Sequence, residues 1–381
     1  MKILFPALLV ILLAACGGGG QTTASSGVPG PTEVVASVHL RSAWLDQKLL
    51  DYGSSFRIGL DSEQDVTNPD SELGTYAISA TSWSPLPEEL VKLRYIALGY
   101  TNGYEFKGTR WEGFVAAHPT WIERTCAAGH PIAWMPGYPE TSPLPLDWTN
   151  PAVLSWVEQT MLSPYLQEGM GGVMLDQVLP NNWAGFCGHF SASGAWVQQY
   201  TGEENDPVYA SMVETVEVAL AHWIHAQSST DVLAINTHPS AEYMTQVEQY
   251  AADADITIDE SGITNYGGDV STRQLQEAIE LGQFVNAHGG CYWQEDKYTG
   301  APDRTADDAA YLIDWSPCEI LSIFPAGSHT ADLAYPELQE NVGTPTGPAV
   351  DDGGVWTREF SGAQVIFDTM TDQGRILARE G

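Results

Sequence analysis

Two apolar runs with the composition of β-strands each lead directly into carboxylic acids. Residues 172–175 precede Asp176, and residues 256–258 precede Asp259 and Glu260. Two positioned carboxyl groups are what glycoside hydrolysis requires, because one protonates the leaving oxygen while the other attacks the sugar or activates water. Successive strand residues point to opposite faces, so only one of Asp259 and Glu260 can share a target with Asp176.

Aromatic, amide and histidine side chains follow the other predicted strands. Such side chains stack on sugar rings or bind hydroxyl groups, and we therefore predict that they bind substrate. The two histidines among them also fit purely structural hydrogen bonding, and none of these residues forms a recognisable metal-ligand motif, so we expect no metal and no cofactor. The candidates are Tyr100, Asn102, Tyr104, Trp134, Tyr138, Asn236, His238, Tyr266, His288 and Trp293.

Other interpretations of these residues stay open at this point. Asp176 could cap the helix that follows its strand, and Glu260 could be a solvated loop residue, with Asp259 taking its role. The chain contains neither the Gly-x-Ser-x-Gly elbow of serine hydrolases nor the His-Glu-x-x-His motif of zinc proteases. A catalytically inactive glycan-binding protein with the same aromatic rim is the alternative to an enzyme.

The elements that position these residues alternate between short apolar runs and amphipathic helices. Apolar residues at helical spacing predict helices around residues 154–165 and 212–223, and Ser271 followed by Gln274 predicts a capping box. About eight strand–helix units with strands apolar on both faces predict a (β/α)₈ TIM-type barrel. The predicted strands are residues 56–60, 76–80, 95–100, 132–135, 172–175, 232–235, 256–258, 284–287 and 321–324.

The last 40 residues follow a different pattern. Residues 355–360 and 364–368 alternate between apolar and polar side chains on either side of Ser-Gly-Ala. This alternation predicts a β-hairpin, within C-terminal strands that begin at about residue 340.

The N-terminus has the features of an export signal. Lys2 precedes an apolar run over residues 3–15, which is too short to span a bilayer and has the length of a signal-peptide core. The run ends in Leu-Ala-Ala-Cys16, which resembles the lipobox of bacterial lipoproteins and implies cleavage after residue 15 and lipid on Cys16. Residues 16–32 then form a Gly/Ser/Thr/Pro linker, and residues 33–381 form the folded body.

Charge and cysteine content narrow the functional class. Asp and Glu number 49 against 15 Lys and Arg, giving a net charge of −34, and such a surface repels nucleic acid. Removing Cys16 leaves Cys126, Cys187, Cys291 and Cys318. An even number in an exported protein suggests two disulfides with three possible connectivities; pairing of sequence neighbours is a guess among them.

Several segments together resemble a family of barrel glycoside hydrolases. Asp147-Trp-Thr-Asn-Pro, followed by a helix and Gly171-Gly-Val-Met-Leu-Asp176, is similar to the D-x-x-N-P … D-G-V-F-L-D signature of the endo-α-1,4-polygalactosaminidase family and related glycosyl hydrolases. Weaker matches extend the resemblance from about residue 95 to 370. The chain departs from the signature at Gly171, where the family has Asp. The resemblance implies that Asp176 is a nucleophile at the end of strand 4 and Glu260 an acid/base at the end of strand 6.

These inferences combine into one expectation. We expect an extracytoplasmic glycoside hydrolase, held to a membrane of the cell envelope by lipid on Cys16, that cleaves an α-linked polysaccharide by a retaining mechanism. Gly17 in place of Asp favours the outer membrane if the cell has one. The resemblance and the negative charge together indicate a substrate that contains galactosamine.

Overall fold

The computed structural model describes residues 58–60, 76–81, 91–101, 111–134, 144–264, 270–326 and 342–379, and gives the backbone alone for the first two segments. Strands dominate its core. In chain order they are β1 (Ile58–Leu60), β2 (Tyr76–Thr81), β3 (Val91–Ala97), β4 (Tyr100–Thr101), β5 (Arg124–Thr125), β6 (Leu144–Pro145), β7 (Gly172–Asp176), β8 (Phe186–Phe190), β9 (Trp196–Gln198), β10 (Val232–Asn236), β11 (Ile256–Asp259), β12 (Cys291–Tyr298), β13 (Ile320–Pro325), β14 (Val350–Asp352), β15 (Val355–Glu359), β16 (Ala363–Asp368) and β17 (Gln373–Ala378).

Helices alternate with strands over the middle of the chain. The α-helices described are α1 (Trp111–Ala117), α2 (Pro151–Trp156), α3 (Ser163–Gln167), α4 (Pro207–Gln227), α5 (Met244–Asp253), α6 (Thr272–Ala287) and α7 (Ala301–Asp314). A π-helical segment, Val157–Leu162, joins α2 to α3, and a 3₁₀ turn occupies Pro119–Trp121. This order places each helix from α4 to α7 between two strands of the main sheet.

The main sheet is parallel and curled. β3 pairs with β7, and the ladder continues through β10, β11, β12 and β13, each strand parallel to the next. β1 pairs with both β13 and β2, and β2 pairs with β3. The predicted α/β sheet of parallel strands is therefore present. The connections from β1 to β2 and from β2 to β3 lie outside the described residues, so the full eightfold β/α repeat stays a prediction.

The two faces of the sheet are both apolar, as the near-continuous hydrophobic strands indicate. The inner face carries a cluster that includes Leu93, Met174, Ala234, Ile258 and Trp293. The alternate residues of the same strands face the helices and join a second cluster there. Side chains on one face of a strand recur every two residues. At the carboxyl end of each strand, the side chain on the inner side is therefore the one two positions after the last residue of the inner cluster.

Local sequence signals explain where the helices begin. Asp206 caps α4 by accepting hydrogen bonds from the backbone of Val208 at 2.8 Å and Tyr209 at 3.2 Å. Ser271 and Gln274 form the predicted capping box at the start of α6. The helices predicted around residues 154–165 and 212–223 are also present, the first of them with its π-helical segment.

Two of the predicted strands are wrong. Residues 284–287 end α6, because Leu275, Ile279 and Val285 bury one helix face and the capping box sets a helix that runs through to Ala287. The strand at this place in the sheet is β12, which begins at Cys291. Of residues 132–135, Ile132 forms only an isolated bridge with Arg124, and β3 pairs directly with β7.

The C-terminal segment forms a larger sheet than the predicted hairpin. β15 and β16 are that hairpin, and β14 and β17 extend it to four antiparallel strands. Its buried side chains, such as Val365 and Phe367, belong to the same hydrophobic cluster as Ala309 and Ala310 of α7. The sheet therefore packs against the helix that joins β12 to β13.

Both disulfides pair sequence neighbours. Cys126 bonds Cys187, tying β5 to β8, and Cys291 bonds Cys318 at the starts of β12 and β13. This agrees with the pairing guessed from the sequence. No helix among the described residues has the length and apolar character needed to cross a membrane; residues 1–57, which include the predicted signal and Cys16, lie outside them.

Candidate functional site

Asp176 ends the fourth parallel strand in chain order and is held by three donors. The Tyr95 hydroxyl donates to Oδ2 at 2.5 Å, while the backbone N–H of Gln177 and the side-chain amide of Asn236 donate to Oδ1 at 2.7 and 2.8 Å. Gln177 has a φ of 60°, in the left-handed region that few residues other than glycine adopt. Backbone strain of this kind is typical of functional sites, and here it directs an N–H at the carboxylate.

Glu260 follows the sixth parallel strand and lies beside Asp176. The Nδ2 of Asn236 donates to Oε2 of Glu260 at 2.8 Å, the same distance at which it donates to Oδ1 of Asp176. Because both oxygens lie 2.8 Å from one nitrogen, they are at most 5.6 Å apart. The structure thus brings together the two residues predicted as a catalytic pair.

Asp259, the competing candidate, points the other way. Its fully buried carboxylate accepts hydrogen bonds from the backbone and hydroxyl of Ser261, the backbone of Gly262 and the hydroxyl of Tyr292. Gly262 has a φ of 48°, and a Cβ there would lie 2.1 Å from Oδ1 of Asp296, so only glycine fits this turn. Asp259 therefore organises the turn that presents Glu260.

Close packing of two strands explains why glycine occupies position 172, at the start of the strand that leads to Asp176. A Cβ at Gly172 would lie 2.1 Å from the backbone oxygen of Val232, so β7 and β10 approach too closely for any side chain. At Gly171, the position where the family has Asp, a Cβ would be 3.6 Å from Val91. The departure from the signature at Gly171 therefore leaves the strand unaffected.

Burial and mutual repulsion determine how the pair titrates. Burial raises the pKa of Asp176, and the negative charge of Glu260 raises it further, whereas the donors Tyr95, Asn236 and Gln177 lower it; the net pKa shift is upward. Burial and the charge of Glu260 thus oppose ionisation of Asp176, which keeps its proton to a higher pH than an exposed aspartate does.

His238 faces the same group of carboxylates. Its Nδ1 lies 3.5 Å from Oδ1 of Asp259 and 3.3 Å from the hydroxyl of Ser261. Burial lowers the pKa of His238, but its hydrogen bond to Asp259 and the charges of Asp259, Glu260 and Asp176 outweigh burial and raise the pKa. The three carboxylates therefore favour the protonated form of His238.

Three other residues that we predicted to bind substrate pack against neighbouring side chains of the fold. His288 ends α6, stacks on Phe284 and contacts its backbone oxygen, so it precedes β12 and lies at the amino end of the sheet rather than at the rim. Trp293 is fully buried on the inner face, where its Nε1 donates to Ser322 at 2.8 Å. Neither residue lies beside Asp176 and Glu260 at the carboxyl ends of the strands, and the roles in substrate binding predicted for them stay predictions. Trp134 is half-buried and packs edge-on against Trp111.

The remaining predicted binding residues are not described. Tyr100 is described in its backbone only, as part of β4. The others lie outside the described residues, and their roles stay predictions: Asn102, Tyr104, Tyr138 and Tyr266.

Sequence reasoning missed two inner-face residues. Tyr95 was predicted to begin a strand, but β3 runs from Val91 to Ala97 and places Tyr95 on the inner face, two residues before its carboxyl end. Glu295 was not selected because β12 was not predicted; it is buried, two residues beyond Trp293, with its carboxylate 3.3 Å from Nζ of Lys297. The bounds of β3 and the presence of β12 were the missing information.

Metal binding has no support in the parts of the chain that the structure describes, where no three His, Cys, Asp or Glu side chains are grouped to hold an ion. The arrangement instead offers two adjacent carboxyl groups, one shared amide donor and a histidine. This set can transfer a proton to an oxygen and supply a carboxylate nucleophile.

Comparisons with known proteins give structural likenesses only. No protein-family model and no curated protein matches the sequence. Solved structures that resemble the chain include a noncanonic maltogenic α-amylase from Thermotoga neapolitana, with 10% identity over 84% of this chain and 86% of that chain and a TM-score of 0.45. Amy13B from Eubacterium rectale has 8% identity over 82% and 86% of the chains, with a TM-score of 0.46.

A GH36 α-galactosidase from Geobacillus stearothermophilus is also similar, with 9% identity over 83% of this chain and 47% of that chain and a TM-score of 0.44. The first of these three proteins is named as an α-amylase and the third as an α-galactosidase. The resemblance of the sequence to the endo-α-1,4-polygalactosaminidase family stays a prediction.

Proposed function

We propose that this protein is an extracytoplasmic glycoside hydrolase, held to the cell envelope by lipid on Cys16, which cleaves an α-linked polysaccharide on a complete (β/α)₈ barrel. The observation that supports the hydrolase proposal most directly is the Asp176–Asn236–Glu260 arrangement at the carboxyl ends of adjacent parallel strands. Active residues of barrel enzymes lie at this edge of the sheet.

The separation of the two carboxyl groups favours retention of configuration. Retaining enzymes place them about 5–5.5 Å apart, whereas inverting enzymes need about 6.5–9.5 Å to admit a water molecule. The upper limit of 5.6 Å between Oδ1 of Asp176 and Oε2 of Glu260 fits the first class. In this mechanism Asp176 attacks the anomeric carbon while Glu260 gives its proton to the leaving oxygen.

The second half of the reaction reverses these roles. Glu260, now a carboxylate, takes a proton from water, and the resulting hydroxide displaces Asp176 from the sugar. Retention of one proton by the unliganded pair suits this cycle, because it needs one carboxylic acid and one carboxylate at the start. Tyr95 and Asn236 would orient Asp176 and stabilise its charge when it leaves the sugar.

The proposed substrate is a polysaccharide that contains galactosamine. The net charge of −34 attracts a cationic polymer, and the resemblance of the Asp147 and Asp176 segments to the polygalactosaminidase signature indicates the same sugar.

A panel of polysaccharides, incubated with the purified protein and assayed for new reducing ends, tests the proposal. We expect release from at least one polymer, with the anomeric configuration of the first product retained by NMR. Asp176→Asn should remove this activity and Asp352→Asn, an exposed residue of the C-terminal sheet, should keep it. Glycan binding without any new reducing ends would instead indicate a binding protein.

A further inference from the structure

A cavity of about 540 Å³ is lined by residues other than Asp176 and Glu260. It is bounded by the end of β12, the first turns of α6 and α7, and the turn between β16 and β17. Its volume falls in the range of about 300–1,000 Å³ that small-molecule sites occupy. Hydroxyl groups line much of it: the threonines are Thr264, Thr272, Thr299, Thr369 and Thr371.

The charge around this cavity is strongly negative. Asp303, Asp307 and Asp372 line it, and the pKa of Asp307 is raised well above its usual range by burial and by the charges of neighbours that include Asp296 and Asp372. Lys297 also lines the cavity, but its ammonium pairs with Glu295 at 3.3 Å. No cation among the lining residues therefore balances the three aspartates.

Asp307 is the residue that points to a ligand. Its side chain is fully buried, and neither carboxylate oxygen accepts a hydrogen bond from the described residues. Its neighbours are satisfied: Asp303 accepts from the backbone of Thr299 at 2.8 Å, and Asp296 accepts from that of Ile263 at 2.7 Å. A buried carboxylate without donors is costly. Another described carboxylate, that of Glu217, shares this state, but Asp307 lines a cavity through which a donor from outside the protein can reach it.

We propose that this cavity binds a small organic cation whose ammonium group donates hydrogen bonds to Asp307, with Asp303 and Asp372 balancing its further charge. The described carboxylates are not grouped closely enough to hold a bare metal ion, whereas the cavity volume suits a molecule of several heavy atoms. The threonine hydroxyls supply further polar contacts along its length. This site goes beyond the proposed hydrolase activity and shares no residue with the Asp176–Glu260 pair.

Titration calorimetry of the purified protein with spermidine tests this proposal. We expect saturable binding of one spermidine, weakened about tenfold or more by Asp307→Asn, since a hydrogen bond to a charged group contributes about 1.5–3 kcal/mol. Binding at pH 6 should also release protons, which buffers of different ionisation enthalpy reveal, because burial and neighbouring charges raise the pKa of Asp307 well above its usual range.

Controls separate this site from general attraction to an acidic protein. Asp352→Asn removes the same charge from an exposed strand of the same sheet and should leave spermidine affinity unchanged. Asp307→Asn should fold, because it replaces a buried carboxyl group without hydrogen-bond donors at nearly constant volume, and an unchanged or raised melting temperature would verify this. Equal affinity in both variants, absence of saturable binding, or displacement of spermidine by equimolar calcium chloride would each overturn the proposal.

Discussion

Asp176 and Glu260 accept hydrogen bonds from the same nitrogen, Nδ2 of Asn236, each at 2.8 Å. The two residues are 84 positions apart in the sequence but end two strands that both neighbour β10, the strand that carries Asn236. One amide thus uses both of its N–H groups to hold two carboxyl groups near each other, and the negative charge of Glu260 raises the pKa of Asp176.

Substitution of either carboxyl group tests the proposed roles. Asp176→Asn should reduce turnover by several orders of magnitude while sparing glycan binding, since it removes the nucleophile but keeps the shape of the site. Glu260→Gln should do the same on polysaccharide, yet retain activity on an aryl glycoside with a good leaving group, which needs no protonation in the first step. Steady-state kinetics on both substrates distinguish these outcomes; full activity of Asp176→Asn would refute the mechanism.

Tyr95→Phe should shift the pH profile of activity. The Tyr95 hydroxyl lowers the pKa of Asp176 by donating to its carboxylate, so its removal raises that pKa and moves the acidic limb of kcat/KM to higher pH. A hydrogen bond to a charged group contributes about 1.5–3 kcal/mol, which corresponds to about 1–2 pH units. Tyr292→Phe is the matched control, because Tyr292 donates to Asp259 instead. An acidic limb that stays in place in Tyr95→Phe would contradict this role.

The sequence was sufficient to predict the residues that follow strongly apolar strands. Asp176 and Glu260 were recognisable because each follows a buried β run, and the alternation of side chains made Asp259 and Glu260 mutually exclusive. Tyr95 could not be selected in the same way, because the predicted strand began at Tyr95 whereas β3 runs from Val91 to Ala97. Periodicity alone does not fix the ends of a strand.

The errors in the predictions for residues 284–295 have one common origin. The segment 284–287 is short and apolar, so its pattern fits a strand or part of a buried helix equally well. The capping box at Ser271 was the signal that favoured a helix extending to this segment. Choosing a strand there placed His288 at the rim and left β12 unassigned. Trp293 and Glu295 were then treated as loop residues, although both are buried on the inner face.

The disulfides give a prediction about oxidation and stability. Protein isolated from its native compartment should show no alkylatable thiol after denaturation, because Cys126–Cys187 and Cys291–Cys318 account for all four cysteines of the folded body. Loss of either bond by paired Cys→Ser substitution should cost about 2–4 kcal/mol of unfolding free energy. Since Cys126 is exposed and Cys291 is fully buried, mild reductant should open the first bond before the second; the reverse order would contradict this.

The proposed membrane attachment depends on Cys16, which lies outside the described part of the chain. Cys16→Ser should prevent lipidation and move the protein from the membrane to the soluble extracytoplasmic fraction, because the lipid on Cys16 is the proposed anchor. Detergent phase separation of the mutant and the parent measures this directly. The double cysteine variant of Cys126 and Cys187 should still partition with detergent, which controls for a general effect of losing a thiol. Normal membrane retention of Cys16→Ser would rule out the lipid anchor.

The net charge of −34 predicts that salt weakens activity on a cationic substrate. Attraction between a negative protein and a positive polymer is screened over a Debye length of about 10 Å at 0.1 M salt and about 3 Å at 1 M. For a polymer of unacetylated galactosamine we therefore expect kcat/KM to fall steadily over this range, chiefly through a higher KM. The N-acetylated form of the same polymer is neutral and should show little change, and circular dichroism at each salt concentration separates substrate effects from folding. If both polymers respond alike, or activity rises with salt, the acidic surface does not select the substrate.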